Sequence, residues 1–294
     1  MLSGEYLVLK GASALAIPLK LGQSFVIDSY PESVISWDAD SPEGKWFSAV
    51  YAMGTIDIIA TSDMKKAQRL QKLLRAMQSM GFSTLSSSEG IKVNSRLDFS
   101  PHWGLGSSST LVAAMAKWAG LDPYALLKST FGGSGYDVAC AYENTPLRYR
   151  LVDGHSSVTP TPFLPPFYDK LFFVYSGRKQ DSSKEVKSFL NEDYDYTDIV
   201  AEIDDITAKM CVANDLTAFQ DLMLSHESIM SRCLHRDSIG KMFCDFDGVM
   251  KSLGAWGGDF FLAASSLPEY EVRRYFKSRG CDIVFRYDEL AIIS

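Results

Sequence analysis

The chain has little that would serve a metal centre or an oxidised compartment. Its five cysteines (Cys140, Cys211, Cys233, Cys244, Cys281) are scattered, odd in number and never arranged as CxxC. A zinc site and a disulfide framework are both disfavoured, and free thiols in a reducing compartment are expected. The four histidines show no HExxH spacing. No run of about 18 apolar residues occurs, so no transmembrane helix and no membrane partner are expected. The opening Met1-Leu2-Ser3-Gly4-Glu5 lacks the basic start and long apolar stretch of a signal peptide, which makes the cytoplasm the expected location. Positive charge is also in short supply: 29 Lys and Arg stand against 36 Asp and Glu, a net charge of -7. Binding a nucleic-acid backbone needs clustered cations, so nucleic acid is not the expected partner. A small anionic substrate needs only a few local cations and stays compatible. Repeats of fixed period and low-complexity tracts are absent.

What is present suits a folded α+β protein. Of 294 residues, 46% are hydrophobic, enough for one large domain or two of ordinary size. Residues 24–30 and 33–37 are rich in β-branched and aromatic side chains and read as strands. Residues 63–80 read as a helix: Asp63 caps it, Met64, Ala67, Leu70, Leu74 and Met77 form the apolar stripe, and Gly81 stops it. A strand at 91–97 precedes a second helix that follows a glycine-serine run and ends at Gly120. Asp122-Pro123 starts a third, with a cap followed by proline at the first helical position. Pro160, Pro162, Pro165 and Pro166 mark the expected boundary between domains at 1–165 and 166–294. Beyond it come a strand at 171–175, helix from Ile199 through Met210 and on to about Leu234, then strand (260–265), helix (268–279) and strand (281–286).

The strongest local signal is Gly104-Leu105-Gly106-Ser107-Ser108-Ser109. Two glycines allow a tight turn, and the unpaired N–H groups of the helix that follows form an anion site. Serine hydroxyls add donors to phosphate and can ligate Mg²⁺. The segment is not a Walker A loop, because no GK[ST] closes it. Nor is it a dinucleotide fingerprint: the third glycine is missing, and Asp122 precedes a helix instead of ending a strand. A glycine turn with a capping serine accounts for the residues equally well.

Three segments in order carry a more specific resemblance. Gly4-Glu5-Tyr6-Leu7-Val8-Leu9 with Ala14-Leu15-Ala16-Ile17-Pro18 resembles the first motif of the GHMP kinases; the 104–109 loop resembles their second, the ATP loop. Lys251-Ser252-Leu253-Gly254-Ala255-Trp256-Gly257-Gly258-Asp259 resembles the third. Within that superfamily, Gly133-Ser134-Gly135-Tyr136-Asp137-Val138-Ala139 and Gly257-Gly258-Asp259 look like the phosphomevalonate kinase branch. So does Phe173-Val174-Tyr175-Ser176-Gly177-Arg178-Lys179, followed by Ser182-Ser183. The resemblance implies a two-domain α+β fold, ribosomal-S5-like at the N-terminus and ferredoxin-like at the C-terminus. It implies an ATP- and Mg²⁺-dependent kinase of a small molecule, phosphomevalonate or mevalonate, working as a monomer or homodimer. Asp137 would orient or deprotonate the acceptor, and Ser108 would ligate Mg²⁺. Residues 104–109 with Gly254, Ala255 and Gly257 would hold the nucleotide; Glu5, Tyr6, Ser134, Arg178 and Lys179 would face the acceptor. Asp137 also fits a helix cap through the Ser134-x-x-Asp137 pattern.

The sequence departs from the family in three places. The family carries a lysine shortly before the Gly-Glu of its first motif, where this sequence has Met1, Leu2 and Ser3. The metal-binding glutamate of mevalonate kinases has no counterpart between Leu126 and Tyr136, in keeping with the phosphomevalonate branch. Trp256 stands where glycine is usual and is expected to narrow the approach to phosphate. The alternatives are a GHMP kinase for another acceptor, homoserine or a sugar, and a nucleotide- or metabolite-binding relative without turnover.

Overall fold

Alternation of buried and exposed residues builds the larger sheet. β3 (Val34–Ser41) buries Ile35, Trp37 and Ala39, β4 (Gly44–Ala52) buries Phe47, Ala49 and Tyr51, and β6 (Gly90–Leu97) buries Ile91, Val93 and Leu97. With β2 (Gln23–Tyr30) and β5 (Ile58–Thr61) they form a five-stranded sheet in the order β2-β6-β3-β4-β5, in which only β3 and β6 run parallel. The buried side chains pack against α1 (Met64–Ser79), α2 (Ser107–Ala119) and α3 (Pro123–Thr130) in one hydrophobic cluster. The computed structural model describes residues 1–178, 186, 189–191, 194–254, 256 and 258–293. Within it the chain divides into two compact units: Leu21–Ala141, and Met1–Lys20 together with Tyr142–Ser294.

Helix ends follow the local chemistry of the sequence. Asp63 caps α1 by accepting the Lys66 N–H at 3.0 Å, and Asp122 caps α3 by accepting from Tyr124 and Ala125 at 2.8 and 3.1 Å. Gly120 ends α2 in the left-handed conformation. Met64 departs from the expected stripe: it is the first helical residue and 55% exposed, and the buried run begins at Ala67 and includes Leu73.

In the other unit, β1 (Ala14–Ala16) pairs with β7 (Leu147–Val152), which turns back into β8 (His155–Pro160). The turn is Asp153-Gly154, both with positive φ, the two-residue connection that matches strand twist. A second sheet has the order β10 (Val249–Ser252), β11 (Phe260–Ala264), β9 (Leu171–Tyr175), β12 (Val284–Arg286), antiparallel throughout. The strand expected at 281–286 is confined to its last three residues. The central strands β9 and β11 are nearly continuous apolar runs, as burial on both faces requires. Phe172, Val174, Phe261 and Phe276 lie at the heart of this unit's aromatic core. Among its described residues are helices α5 (Thr197–Val212), α6 (Leu216–Leu234), α7 (Glu269–Lys277) and the short α8 (Tyr287–Leu290), while α4 (Tyr136–Tyr142) belongs to the other unit up to Ala141. The proline cluster at 160–166 lies inside the larger unit and leads into β9. None of the helices among the described residues is long and apolar enough to cross a membrane.

The first residue of α1 and its middle differ in what they bury, and that difference is measurable. Leu73→Ala is expected to cost ~2–5 kcal/mol in urea denaturation, because Leu73 is fully buried. Met64→Ala is expected to stay within ~0.5 kcal/mol of the parent. Equal losses at both positions would contradict this packing.

Candidate functional site

The glycine-serine segment folds as an open helix start. Gly104 and Gly106 both have positive φ (69° and 81°), and Gly106 is the cap residue of α2 with no side chain to satisfy the first N–H groups. Its carbonyl accepts from Ser109 and Thr110 at 2.9 and 3.0 Å, while Ser107 and Ser108 begin the helix. Such a start carries partial positive charge and donors aimed outward. Arg69 on α1 adds a full charge: its guanidinium donates to Ser108 Oγ at 3.2 Å and lies 4.7 Å over the Phe131 ring. Thr110 Oγ1 meets Gln23 Oε1 at 2.9 Å, tying the helix to β2.

Asp137 stands beside this loop. A Cβ built on Gly106 would lie 3.8 Å from Asp137 Oδ1, so the two motifs, separate in sequence, adjoin within one unit. Asp137 is the second residue of α4, and the first turn closes through Ala139 N–H to Gly135 O at 3.0 Å. Ser134 lies two residues before the first residue of α4. Burial pushes the Asp137 carboxyl above its ordinary value, with a hydrogen bond from Tyr136 acting the other way. A carboxylate destabilised by burial is a stronger proton acceptor.

Glu5 and Tyr6 lie in the other unit and are buried. Glu5 Oε1 accepts from Lys251 Nζ at 2.6 Å, an ion pair with both side chains out of contact with water. His226 Nε2 accepts the Gly4 N–H at 3.0 Å, which places the imidazole proton on Nδ1. Glu5 Oε2 then faces a lone pair 3.1 Å away, and neither it nor His226 Nδ1 has a hydrogen-bond partner among the described residues. Glu227, next along α6, accepts the Ser252 N–H at 2.9 Å and approaches its hydroxyl at 3.4 Å. Lys251 Nζ also donates to the Ser252 carbonyl at 3.0 Å. Gly4 has φ +82°, and a Cβ there would come 2.7 Å from the Ser13 carbonyl, so only glycine fits. Tyr6 OH accepts the Trp256 N–H at 3.3 Å. Trp256 itself is 1% exposed, with its carbonyl held by Arg236 at 3.1 Å. The indole is a core side chain of this unit, and the expectation that it narrows a phosphate approach gains no support from its placement.

Gly254 follows β10 with φ 64°, whereas Ala255, Gly257, Lys179, Ser182 and Ser183 lie outside the described residues. Arg178 sits exposed in the turn after β9, where its carbonyl accepts the Asp259 N–H at 2.6 Å. The sequence reading assigned no role to Lys251, His226, Glu227 or Arg69. Lys251 stood inside a quoted motif, but nothing local pairs it with a residue 246 positions away. Arg69 had a weak signal, being a cation on the polar face of a helix.

The donor set suits a nucleotide phosphate: an open helix start, three consecutive hydroxyls and a guanidinium. For Mg²⁺ the protein offers Ser108 Oγ and the Asp137 carboxylate, and no group of three or more His, Cys, Asp or Glu able to hold a metal occurs among the described residues. Ser108 Oγ, in the first turn of α2, is the protein oxygen placed to hold Mg²⁺, whose other ligands would be waters and phosphate oxygens.

No protein-family model matches the chain, and no curated protein sequence matches it. Solved structures do. The mevalonate kinase of L. major in complex with R-mevalonate superimposes with a TM-score of 0.69 at 17% identity, over 97% of this chain and 91% of that one. The Streptococcus pneumoniae phosphomevalonate kinase in complex with phosphomevalonate and AMPPNP gives 0.68 at 15% identity, over 97% and 96%. The Lactococcus lactis galactokinase complexed with galactose gives 0.58 at 12% identity, over 98% and 87%. The chain therefore has the α+β fold of the GHMP kinases, and these fold neighbours are kinases of small molecules.

The buried ionisable groups give stability a defined pH dependence. Burial raises Glu227 to about 7, so between about pH 4.5 and 7 the native state holds a proton that the unfolded chain releases, and stability from this group is lost as pH rises. Burial opposes ionisation of Glu5 too, but the Lys251 ammonium brings its carboxyl down to about 2; its contribution is present above about pH 4.5 and lost on acidification towards 2. Burial, reinforced by Lys251, lowers His226, whose contribution is present above the ordinary imidazole range and fades as pH falls. Glu227→Gln removes the first effect alone. Urea midpoints at pH 5, 6, 7 and 8 are expected to show the variant gaining on the parent up to about pH 7 and then running parallel. Curves parallel over the whole range would refute this assignment.

Proposed function

We propose that the chain is an ATP-dependent kinase that transfers the γ-phosphoryl group to phosphomevalonate or mevalonate, a step of isoprenoid precursor synthesis. The observation that carries this reading is the glycine-capped start of α2 with the Asp137 carboxylate beside it. The helix start and the serine hydroxyls bind the phosphates, and Arg69 adds charge on the same side as Ser108. Asp137 accepts the proton of the acceptor oxygen as that oxygen bonds to the γ-phosphorus and ADP leaves with the bridging electron pair. Ser108 Oγ and the phosphates would hold Mg²⁺, which would supply charge neutralisation at the phosphoryl oxygens. Gly254, Ala255 and Gly257 let backbone approach the phosphates. By the resemblance, Tyr6, Ser134, Arg178 and Lys179 would bind the acceptor, the two cations suiting one that already carries a phosphate. Glu5 serves this side of the site through its pair with Lys251.

Asp137→Asn tests the chemistry. The amide keeps shape but cannot take a proton, so turnover should fall by ~10²-fold or more while ATP affinity and folding are retained. Near-normal turnover in the folded variant would exclude Asp137 as the base. Ser108→Ala should weaken ATP binding several-fold in calorimetry, as expected for one lost hydrogen bond; unchanged affinity puts the nucleotide elsewhere.

The acceptor is set by a panel of phosphomevalonate, mevalonate, homoserine and galactose. Phosphomevalonate is expected to give the highest kcat/KM, and a preference for an unphosphorylated acceptor would move the reading to that substrate and demote Arg178 and Lys179.

A further inference from the structure

The backbone of Ser252 is held on both sides by buried ionisable side chains. Its N–H goes to Glu227 Oε1 at 2.9 Å and its carbonyl accepts from Lys251 Nζ at 3.0 Å, with all three residues buried. Lys251 is in turn held by Glu5 at 2.6 Å, and Glu5 belongs to the first glycine-containing segment. Ser252 is the last residue of β10; Leu253 makes one more backbone bond, to Phe260 O at 3.2 Å, and at Gly254 the chain turns with positive φ. The clamp thus acts where the strand passes into the third glycine segment.

Stability does not explain this arrangement. A buried ion pair gives back most of its Coulomb energy in desolvation and is often matched by apolar residues of the same size. Here Glu5 Oε2 and His226 Nδ1 are also left without partners among the described residues, a further cost. An apolar side chain at 251 would fill the space equally well, yet could not take up the Ser252 carbonyl or engage Glu5. What the charges add is direction. They set the angle at which the chain leaves β10.

Building on the kinase reading, we propose that Lys251, Glu227 and Glu5 are positioning residues that set the course of the backbone at Ser252–Gly254 for the phosphoryl-transfer step. None of them needs to touch substrate. Their effect falls on the rate of transfer and leaves the KM of ATP and of the acceptor nearly unchanged. It also differs from the acceptor-lining role implied for Glu5 by resemblance, which would appear in the acceptor's KM.

The test uses the full chain with ATP, Mg²⁺ and phosphomevalonate. The paired variant Glu5→Leu/Lys251→Met removes both charges and keeps the volume filled. It is expected to melt within about 5 °C of the parent, since such replacements are close to neutral. It should lose at least about tenfold in kcat, with both KM values within about threefold, because one misdirected backbone segment degrades alignment more than binding. Glu227→Leu should lose kcat similarly, and Glu227→Gln, which keeps an oxygen for the Ser252 N–H, should recover most of it. Parent-like kcat in both the paired variant and Glu227→Leu overturns the proposal. So does a rate that falls only in proportion to the folded fraction, without recovery in Glu227→Gln. A raised acceptor KM at unchanged kcat in the paired variant overturns it in favour of direct acceptor contact by Glu5. If the parent chain itself neither binds ATP nor transfers phosphate to any acceptor of the panel, the kinase reading fails first and this proposal goes with it; an active parent with indifferent variants sinks only the proposal.

Discussion

The contact between Glu5 and Lys251 joins the first few residues of the chain to the end of β10, in a place water does not reach. Around it the N-terminal segment is fastened repeatedly: Ser3 Oγ meets Thr207 Oγ1 at 2.8 Å, the Ser13 N–H donates to Asp204 at 2.6 Å, and Gly4 donates to His226. Each of these bonds reaches α5 or α6. A segment with only three residues of regular strand could not hold a fixed path by its own propensity. It does so because buried polar groups have few ways to be satisfied, and those available specify one arrangement.

The two units solve different problems. The unit of residues 21–141 presents a helix start with its donors uncommitted, which needs a rigid support; α1, α2 and α3 pack on one face of the sheet and supply it. Uncommitted N–H groups at an exposed helix end cost little, because water serves them until an anion arrives. The other unit does the opposite at Ser252, whose N–H and carbonyl are both committed to buried side chains. A mobile ligand calls for the first kind of construction and a fixed backbone for the second.

The fold neighbours place these features in context without deciding the substrate. Identities of 12–17% over nearly the whole chain mean that backbone course has been retained while most side chains differ. A shared fold hosts several acceptors, and acceptor choice rests on a few side chains of the site.

Much of the secondary structure was legible. Asp63, Asp122-Pro123 and Gly120 act over one turn of chain, so their caps and stops follow from sequence alone, as does the strand at 171–175. The glycine turn and helix start at 104–107 were legible for the same reason, since both are set within a few residues of chain. Strands β1, β4, β5, β7, β8 and β10 were not read, since pairing partners, not composition, decide them; β7 becomes a strand by lying between β1 and β8. Met64 looked like part of a stripe because periodicity does not say where burial begins. What only the tertiary structure decided is which charges meet. Asp137 comes beside Gly106, and Lys251 reaches Glu5 across 246 positions, because folding brings remote segments together. Local sequence sets the conformation of a turn or a helix end, but the partner of a buried charge is chosen by the whole fold, which must satisfy that charge or leave it uncompensated.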